Sequence, residues 1–197
     1  MIVSVEVNPR HLQGGPWTDG YALDIHTLGS TFLGNNSAGY PMFDTKRTPV
    51  GELLYKLKYR LDQSAVVPLA EAAASFVQNS WRVQIDAIVP APPSNIRRVQ
   101  PVYVVADALA ARLRIPVCTG CLIKVKRTRQ LKDITEYDKR VELLSGAFQV
   151  VPDQTRGRRL LLFDDLYGSG ATVGRIAEIL KKDGGAAAVY VLTLTTK

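Results

Sequence analysis

Two adjacent carboxylates, Asp164 and Asp165, end a run of four apolar residues, Leu160-Leu161-Leu162-Phe163. The residues that follow, Leu166-Tyr167-Gly168-Ser169-Gly170-Ala171-Thr172, are mostly small, and Ser169 and Thr172 carry hydroxyls. Small residues let a backbone approach a phosphate closely, and the N–H groups at a helix N-terminus satisfy its charge. Carboxylates repel phosphate but accept hydrogen bonds from sugar hydroxyls. Both demands are met by one phosphorylated ribose, with its diol at the acids and its 5′-phosphate in the loop.

The elements that must position these groups can be read around them. An uninterrupted apolar run bounded by a turn predicts a strand buried on both faces, as in a parallel sheet. Val173, Ile176, Ala177, Ile179 and Leu180 recur at helical spacing after the loop. The stretch therefore reads as strand, phosphate-sized loop and helix, and ligands of open parallel sheets bind at the carboxyl ends of strands. The same order occurs upstream. A strand over Ile85–Val89 runs into Pro90-Ala91-Pro92-Pro93-Ser94-Asn95, with Arg97-Arg98 beyond, and a helix follows over 102–114. Prolines at the strand end fix a rigid turn that has few N–H donors.

The remaining pattern predicts strands over 2–7 and 21–28, with turn-rich segments over 8–20 and 29–49. Thr48-Pro49 opens a helix: Thr48 is an N-cap and Pro49 takes the first helical position. Leu53, Leu54, Leu57 and Leu61 form its apolar stripe, and Lys56, Lys58 and Arg60 read as a solvated basic face. A second helix spans 67–81, starting at Pro68. Short strands are expected at 116–117, 122–125 and 147–151, a helix at 136–144, a turn at 153–157 and a last strand at 188–194. Strands alternating with helices give an α/β fold: a mainly parallel central sheet flanked by helices. Residues 1–47 form a small N-terminal strand and loop cap, and 48–197 the α/β domain. Asp24 and His26 either face a ligand or are polar positions on a half-exposed strand. The latter reading is preferred.

At 197 residues the chain is long enough to bury roughly 70% of its unfolded surface. Its 46% hydrophobic and 22% charged content is ordinary for a water-soluble globular protein. No apolar run approaches the ~20 residues of a membrane span, and the first residues lack the pattern of a signal peptide. A cytoplasmic location is the expectation. The net charge of +7 is uneven: Lys124 to Arg140 holds seven basic and three acidic residues, which suggests a local anion site. Cys118 and Cys121 are read as two structural thiols, since zinc needs about four ligands and the two histidines are distant.

Phe163 to Thr172 resembles the phosphoribosyl pyrophosphate (PRPP) signature of the type I phosphoribosyltransferases, closest to their ComF-like branch. Three further stretches agree in order. Tyr55 to Arg60 resembles the family's lysine- and tyrosine-containing helix end, Ile88 to Ser94 with Arg97-Arg98 its pyrophosphate loop, and Lys126 to Arg140 with Gly146-Ala147-Phe148 its mobile basic segment. The resemblance covers roughly residues 48–195. Tyr167 stands where a small aliphatic residue is usual, and Gly168 replaces a threonine, removing one hydroxyl ligand for the 5′-phosphate. The amino-terminal zinc cysteines of the branch are absent.

The resemblance implies transfer of a phosphoribosyl group from PRPP to a nitrogen base or amine with release of pyrophosphate. Asp164 and Asp165 would hold the ribose hydroxyls, and Leu166 to Thr172 the 5′-phosphate. Pro93, Ser94, Arg97 and Arg98 would face the pyrophosphate. Lys126, Arg127, Arg129 or Lys132 would close over the leaving group. Mg²⁺ would be held mainly through substrate oxygens rather than by a protein cage. A hood corresponding to residues 1–47 would select the base, and a homodimer is common in the family. Two other readings compete: a PRPP- or nucleotide-sensing protein without turnover, and a ComF-like accessory of nucleic acid using the basic segment. No membrane partner is implied.

Overall fold

The structure is a computed structural model that describes residues 5–93, 98–126, 139 and 142–197. Among them, a five-stranded sheet has the order β1-β2-β9-β8-β5. Its strands are β1 (Arg10–His11), β2 (Asp19–Ile25), β5 (Ala87–Pro90), β8 (Arg159–Tyr167) and β9 (Ala188–Thr196). Only β1 runs antiparallel to its neighbour; the others pair in parallel. One face carries α1 (Pro49–Tyr59), α2 (Val66–Ser75) and α3 (Pro101–Leu113). The other carries α5 (Ala171–Lys182) and a small antiparallel sheet of β6 (Leu122–Lys124) and β7 (Phe148–Val150). The one-turn helix α4 (Pro152–Thr155) lies between β7 and β8.

The apolar run predicted to be buried on both faces is. Leu161 and Phe163 pack under α1–α3, Leu160 and Leu162 pack under α5, and all four are fully buried. Helix α1 starts as its sequence dictates: Thr48 Oγ1 accepts the Gly51 N–H at 3.0 Å, and Pro49 occupies the first turn. Thr48 also donates to the Ile25 carbonyl at 2.7 Å. The helix start is thereby clamped to the end of β2. A Cβ on Gly51 would collide with the His26 carbonyl, so only glycine permits this approach.

Several expectations change. Residues 5–9 form no strand, whereas β1 arises inside the predicted loop over 8–20. The turn-rich segment 29–49 is largely a hairpin of β3 (Thr27–Asn35) and β4 (Pro41–Arg47), a sheet of its own. Its Gly and Asn residues make the turn rather than breaking the strands. Asn36 Oδ1 accepts the N–H groups of Ala38 and Tyr40, and Gly39 adopts φ +80°. β2, also from the first 47 residues, belongs to the main sheet beside β9. The second helix starts at Val66, and its last turn widens to a π-turn over Phe76–Trp81. Residues 116–117 contribute one bridge, Ile88 with Val117, rather than a strand. Cys118 and Cys121 are joined in a disulfide, not two thiols. The two-residue Thr119-Gly120 turn brings their Cα atoms to 5.4 Å, within bridging range. Residues 127–138 and most of the predicted helix over 136–144 fall outside the described residues; Lys139, Glu142 and Leu143 are helical.

Candidate active site

The acid pair lies where β8 leaves the core. Strand β8 runs two residues further than expected: Leu166 pairs with Thr195 and Tyr167 with Thr196 on β9. Leu166 and Tyr167 are thus ladder residues, and the turn itself is Gly168-Ser169-Gly170. Gly170 caps α5 at φ +79°, and Ser169 Oγ accepts the Ala171 N–H at 3.5 Å. The first intrahelical bond is Gly174 N–H to the Gly170 carbonyl at 2.7 Å, so the N–H groups of Ala171 to Val173 precede it in the first turn. Ala171 and Thr172 open this helix, whose positive dipole end meets the turn. Tyr167 folds back over the turn. Its hydroxyl would be 2.5 Å from a Cβ on Gly170, and its ring meets Trp17 edge-on at 6.2 Å. Alternation along β8 sends the two acids to opposite faces of the sheet edge.

Asp165 faces α1, where Lys58 Nζ lies 2.8 Å from its Oδ2. Both side chains are largely sheltered, at 13% and 20% exposure. Lys58 is therefore part of the acidic centre and not of a solvated basic face. The signal was available: Lys58 follows Leu54 by four residues, so it stands on the buried stripe of α1. Asp164 accepts the Asp165 N–H at 2.8 Å. Burial, together with the neighbouring Asp165 carboxylate, pushes Asp164 up to about 7; its bond to the Asp165 N–H and the Lys58 cation oppose the rise.

His26, at the end of β2, joins this cluster. Its Nδ1 is 3.3 Å from Thr195 Oγ1, which in turn donates to the Asp165 carbonyl at 3.2 Å. Burial lowers the His26 pKa, and the Lys58 and Arg47 cations lower it further, against a smaller opposing effect of Asp165. Arg47 stacks on the Tyr55 ring at 3.9 Å and reaches Glu52 at 3.5 Å. Asp24, two residues before His26, is almost fully buried and accepts the Ile25 N–H at 2.8 Å; burial raises its pKa.

The rigid proline turn starts beside the acids. Pro90 pairs with Phe163, and the Ala91 N–H donates to the Phe163 carbonyl at 2.8 Å. Pro93 is half-buried just beyond, and Arg98 is exposed. Lys126 is exposed at the end of β6; its Nζ would be 3.1 Å from a Cβ on Gly146. Ser94, Arg97, Arg127, Arg129 and Lys132 lie outside the described residues. Among the described residues, no cluster of three or more His, Cys, Asp or Glu side chains offers a metal cage, and no helix is long and apolar enough to cross a membrane.

No protein-family model matches the chain. Competence protein F of Haemophilus influenzae is 29% identical over 104 residues, covering 50% of this chain. The chain spans 45% of that relative's length. Glutamine PRPP amidotransferase of B. subtilis, solved with ADP and GMP, superposes at a TM-score of 0.50 with 21% identity, over 81% of this chain and 34% of that one. The chain has the type I phosphoribosyltransferase fold. Its sequence likeness is to the ComF-like branch. The mainly parallel sheet flanked by helices is that expected from the sequence.

Proposed function

We propose that this protein binds PRPP and transfers its phosphoribosyl group to a nitrogen base or small amine, releasing pyrophosphate. The observation that carries the reading is the acid pair at the carboxyl end of β8, two strand residues from a helix-opening turn, in a phosphoribosyltransferase fold. Asp164 and Asp165 hold the ribose hydroxyls. Gly168 to Thr172 hold the 5′-phosphate through N–H groups and the Ser169 and Thr172 hydroxyls, with Leu166 and Tyr167 fixing the turn from the strand side. Lys58 balances the charge of Asp165 and orients it. The proline turn, with Pro93, Ser94, Arg97 and Arg98, receives the pyrophosphate, and Lys126 and Lys132 close on it.

Mg²⁺ fits the donor set. The acids supply hard carboxylate oxygens, Asp165 is already paired with Lys58, and the ion would be held chiefly by substrate phosphates. When bound, it neutralises charge on the departing pyrophosphate. The chain's own part is positioning and electrostatics: two acids beside the ribose stabilise positive charge developing at C1′ as the leaving group departs. The β3–β4 hairpin, with Leu28, Phe32, Leu33, Met42 and Phe43 exposed, is the hood that meets the acceptor. Its two phenyl rings, Phe32 and Phe43, 5.5 Å apart, suit a planar base.

The experiment is pyrophosphate release from PRPP against adenine, guanine, hypoxanthine, uracil, orotate, ammonium and glutamine, run beside calorimetric PRPP binding. Release above the enzyme-free rate supports transfer. PRPP binding without release supports a sensor. The likeness to competence protein F favours a second reading, an accessory of nucleic acid acting through residues 124–140. It requires DNA binding with a steep salt dependence that falls when Lys126, Arg127 and Arg129 are neutralised.

A further inference from the structure

We infer that His26 Nε2 accepts the proton released by the attacking nitrogen of the acceptor; the inference rests on the phosphoribosyl-transfer reading above. Bond geometry assigns the tautomer. Thr195 has one hydroxyl hydrogen and two neighbours, the Asp165 carbonyl at 3.2 Å and His26 Nδ1 at 3.3 Å. A carbonyl can only accept, so both contacts are hydrogen bonds only when the Thr195 hydrogen goes to Asp165 and His26 Nδ1 donates to Thr195 Oγ1. That leaves Nε2 with its lone pair, and among the described residues no hydrogen-bond partner faces it.

The backbone that carries the ring is held in place from several sides. The His26 N–H donates to the Thr196 carbonyl at 2.7 Å, its own carbonyl lies against Gly51, and Thr48 ties the preceding Ile25 carbonyl to α1. His26 also links β2 to the hairpin strand β3, so it stands at the root of the hood, two strands from Asp164 and Asp165. The base is thus on the acceptor side and the proline turn on the other side of β8.

The charged groups around the ring keep it neutral. Lys58 on α1 and Arg47 on β4 disfavour an imidazolium, as does burial, and Asp165 on β8 opposes them weakly. A neutral imidazole with an open Nε2 is the protonation state a general base needs.

The step balances without further reactants. The acceptor nitrogen bonds to C1′, the C1′–O bond to pyrophosphate breaks, and the bonding pair leaves on the pyrophosphate oxygen. The N–H proton moves to His26 Nε2, and the imidazolium returns it to water after product release.

The test combines His26→Gln, which keeps a donor for Thr195 but has no base, with ¹⁵N NMR of the wild-type ring. The NMR spectrum at pH 7 should show Nδ1 protonated and Nε2 bare; the opposite tautomer overturns the proposal whatever the variant does. In the pyrophosphate-release assay, using the best acceptor of the panel with water included, His26→Gln should lose about 10²- to 10⁴-fold in kcat. PRPP affinity by calorimetry should stay within about threefold. In acid, log kcat of the wild type should rise with a limb of unit slope from His26 that His26→Gln lacks. Retention of kcat and of that acid limb in the variant overturns the proposal and leaves the PRPP site standing. Wild-type PRPP binding without release for any acceptor also overturns it. Failure of the wild type to bind PRPP removes the underlying reading instead.

Discussion

Asp164 should weaken the fold it sits in, and Asp164→Asn should strengthen it in a pH-dependent way. An unperturbed aspartate ionises near 3.8, whereas burial and Asp165 raise Asp164 to about 7. Folding therefore favours the protonated acid. Below pH 4 the side chain is neutral in both folded and unfolded chains, and no penalty exists. Between pH 4 and 7 the unfolded chain ionises while the folded chain holds its proton, so stability falls as pH rises. Above 7 the loss is complete, at up to about 4 kcal/mol for a rise of this size. Asparagine keeps the shape of the side chain and an oxygen for the Asp165 N–H, but carries no charge. Guanidinium unfolding of wild type and variant at pH 4, 6 and 8 should give equal stability at pH 4 and an advantage for Asn at pH 8. A gain of about 2–4 kcal/mol there corresponds to a Tm higher by about 4–16 °C in a chain of this length. The same variant should lose PRPP affinity. Equal or lower stability of Asp164→Asn at pH 8 would refute the argument that the acid is strained for function.

Asp164→Asn combined with Asp165→Asn should abolish calorimetric PRPP binding while circular dichroism stays unchanged. Lys58→Met removes the cation 2.8 Å from Asp165 and should destabilise the chain by about 1–3 kcal/mol. It should also move the Asp164 carboxyl resonance in a ¹³C NMR titration to still higher pH, because Lys58 opposes its rise. Gly51→Ala forces a Cβ into the His26 carbonyl and should cost about 1–3 kcal/mol by urea unfolding, with a larger loss in acceptor turnover than in PRPP affinity. Replacing residues 28–46 by a short Gly-Ser linker should leave PRPP affinity within about threefold and abolish selection among acceptor bases in the release assay.

The core of the fold was legible because it is written in local pattern. Leu160 to Phe163 can be apolar on both faces only inside a covered parallel sheet, and the acids after them can only stand at its edge. Thr48-Pro49 announces α1 through capping chemistry that needs no tertiary information, and the Thr48–Gly51 bond follows from it. The hairpin was missed for an equally local reason. Glycine and asparagine at 29, 34–36 and 39 were read as breaking strands, but in a two-stranded ribbon they supply the turn and the irregular register near Gly29 and Gly34. The last residues of β8 were misread because Gly168 marks the turn, not the acids: backbone pairing to β9 continues through Tyr167 whatever the side chains are.

Lys58, His26 and Thr195 were not legible as one site, and the cause is strand order. Each belongs to a different element, and His26 and Thr195 are 169 residues apart in sequence. They meet because β9 inserts between β2 and β8, a crossover that no hydropathy period encodes. Within its own segment, His26 is a polar residue at a strand end and Lys58 a cation near a helix end, and both patterns are ordinary on a surface. Their chemistry arises only when the sheet closes. Lys58 then meets the acid that would otherwise stand uncompensated, and His26 meets a hydroxyl already committed to a carbonyl. In the proposed reaction the acidic motif marks the ribose end of the substrate through local sequence, whereas the acceptor end would draw on the hairpin root and on residues from three strands and a helix, so its chemistry has to be read from the fold.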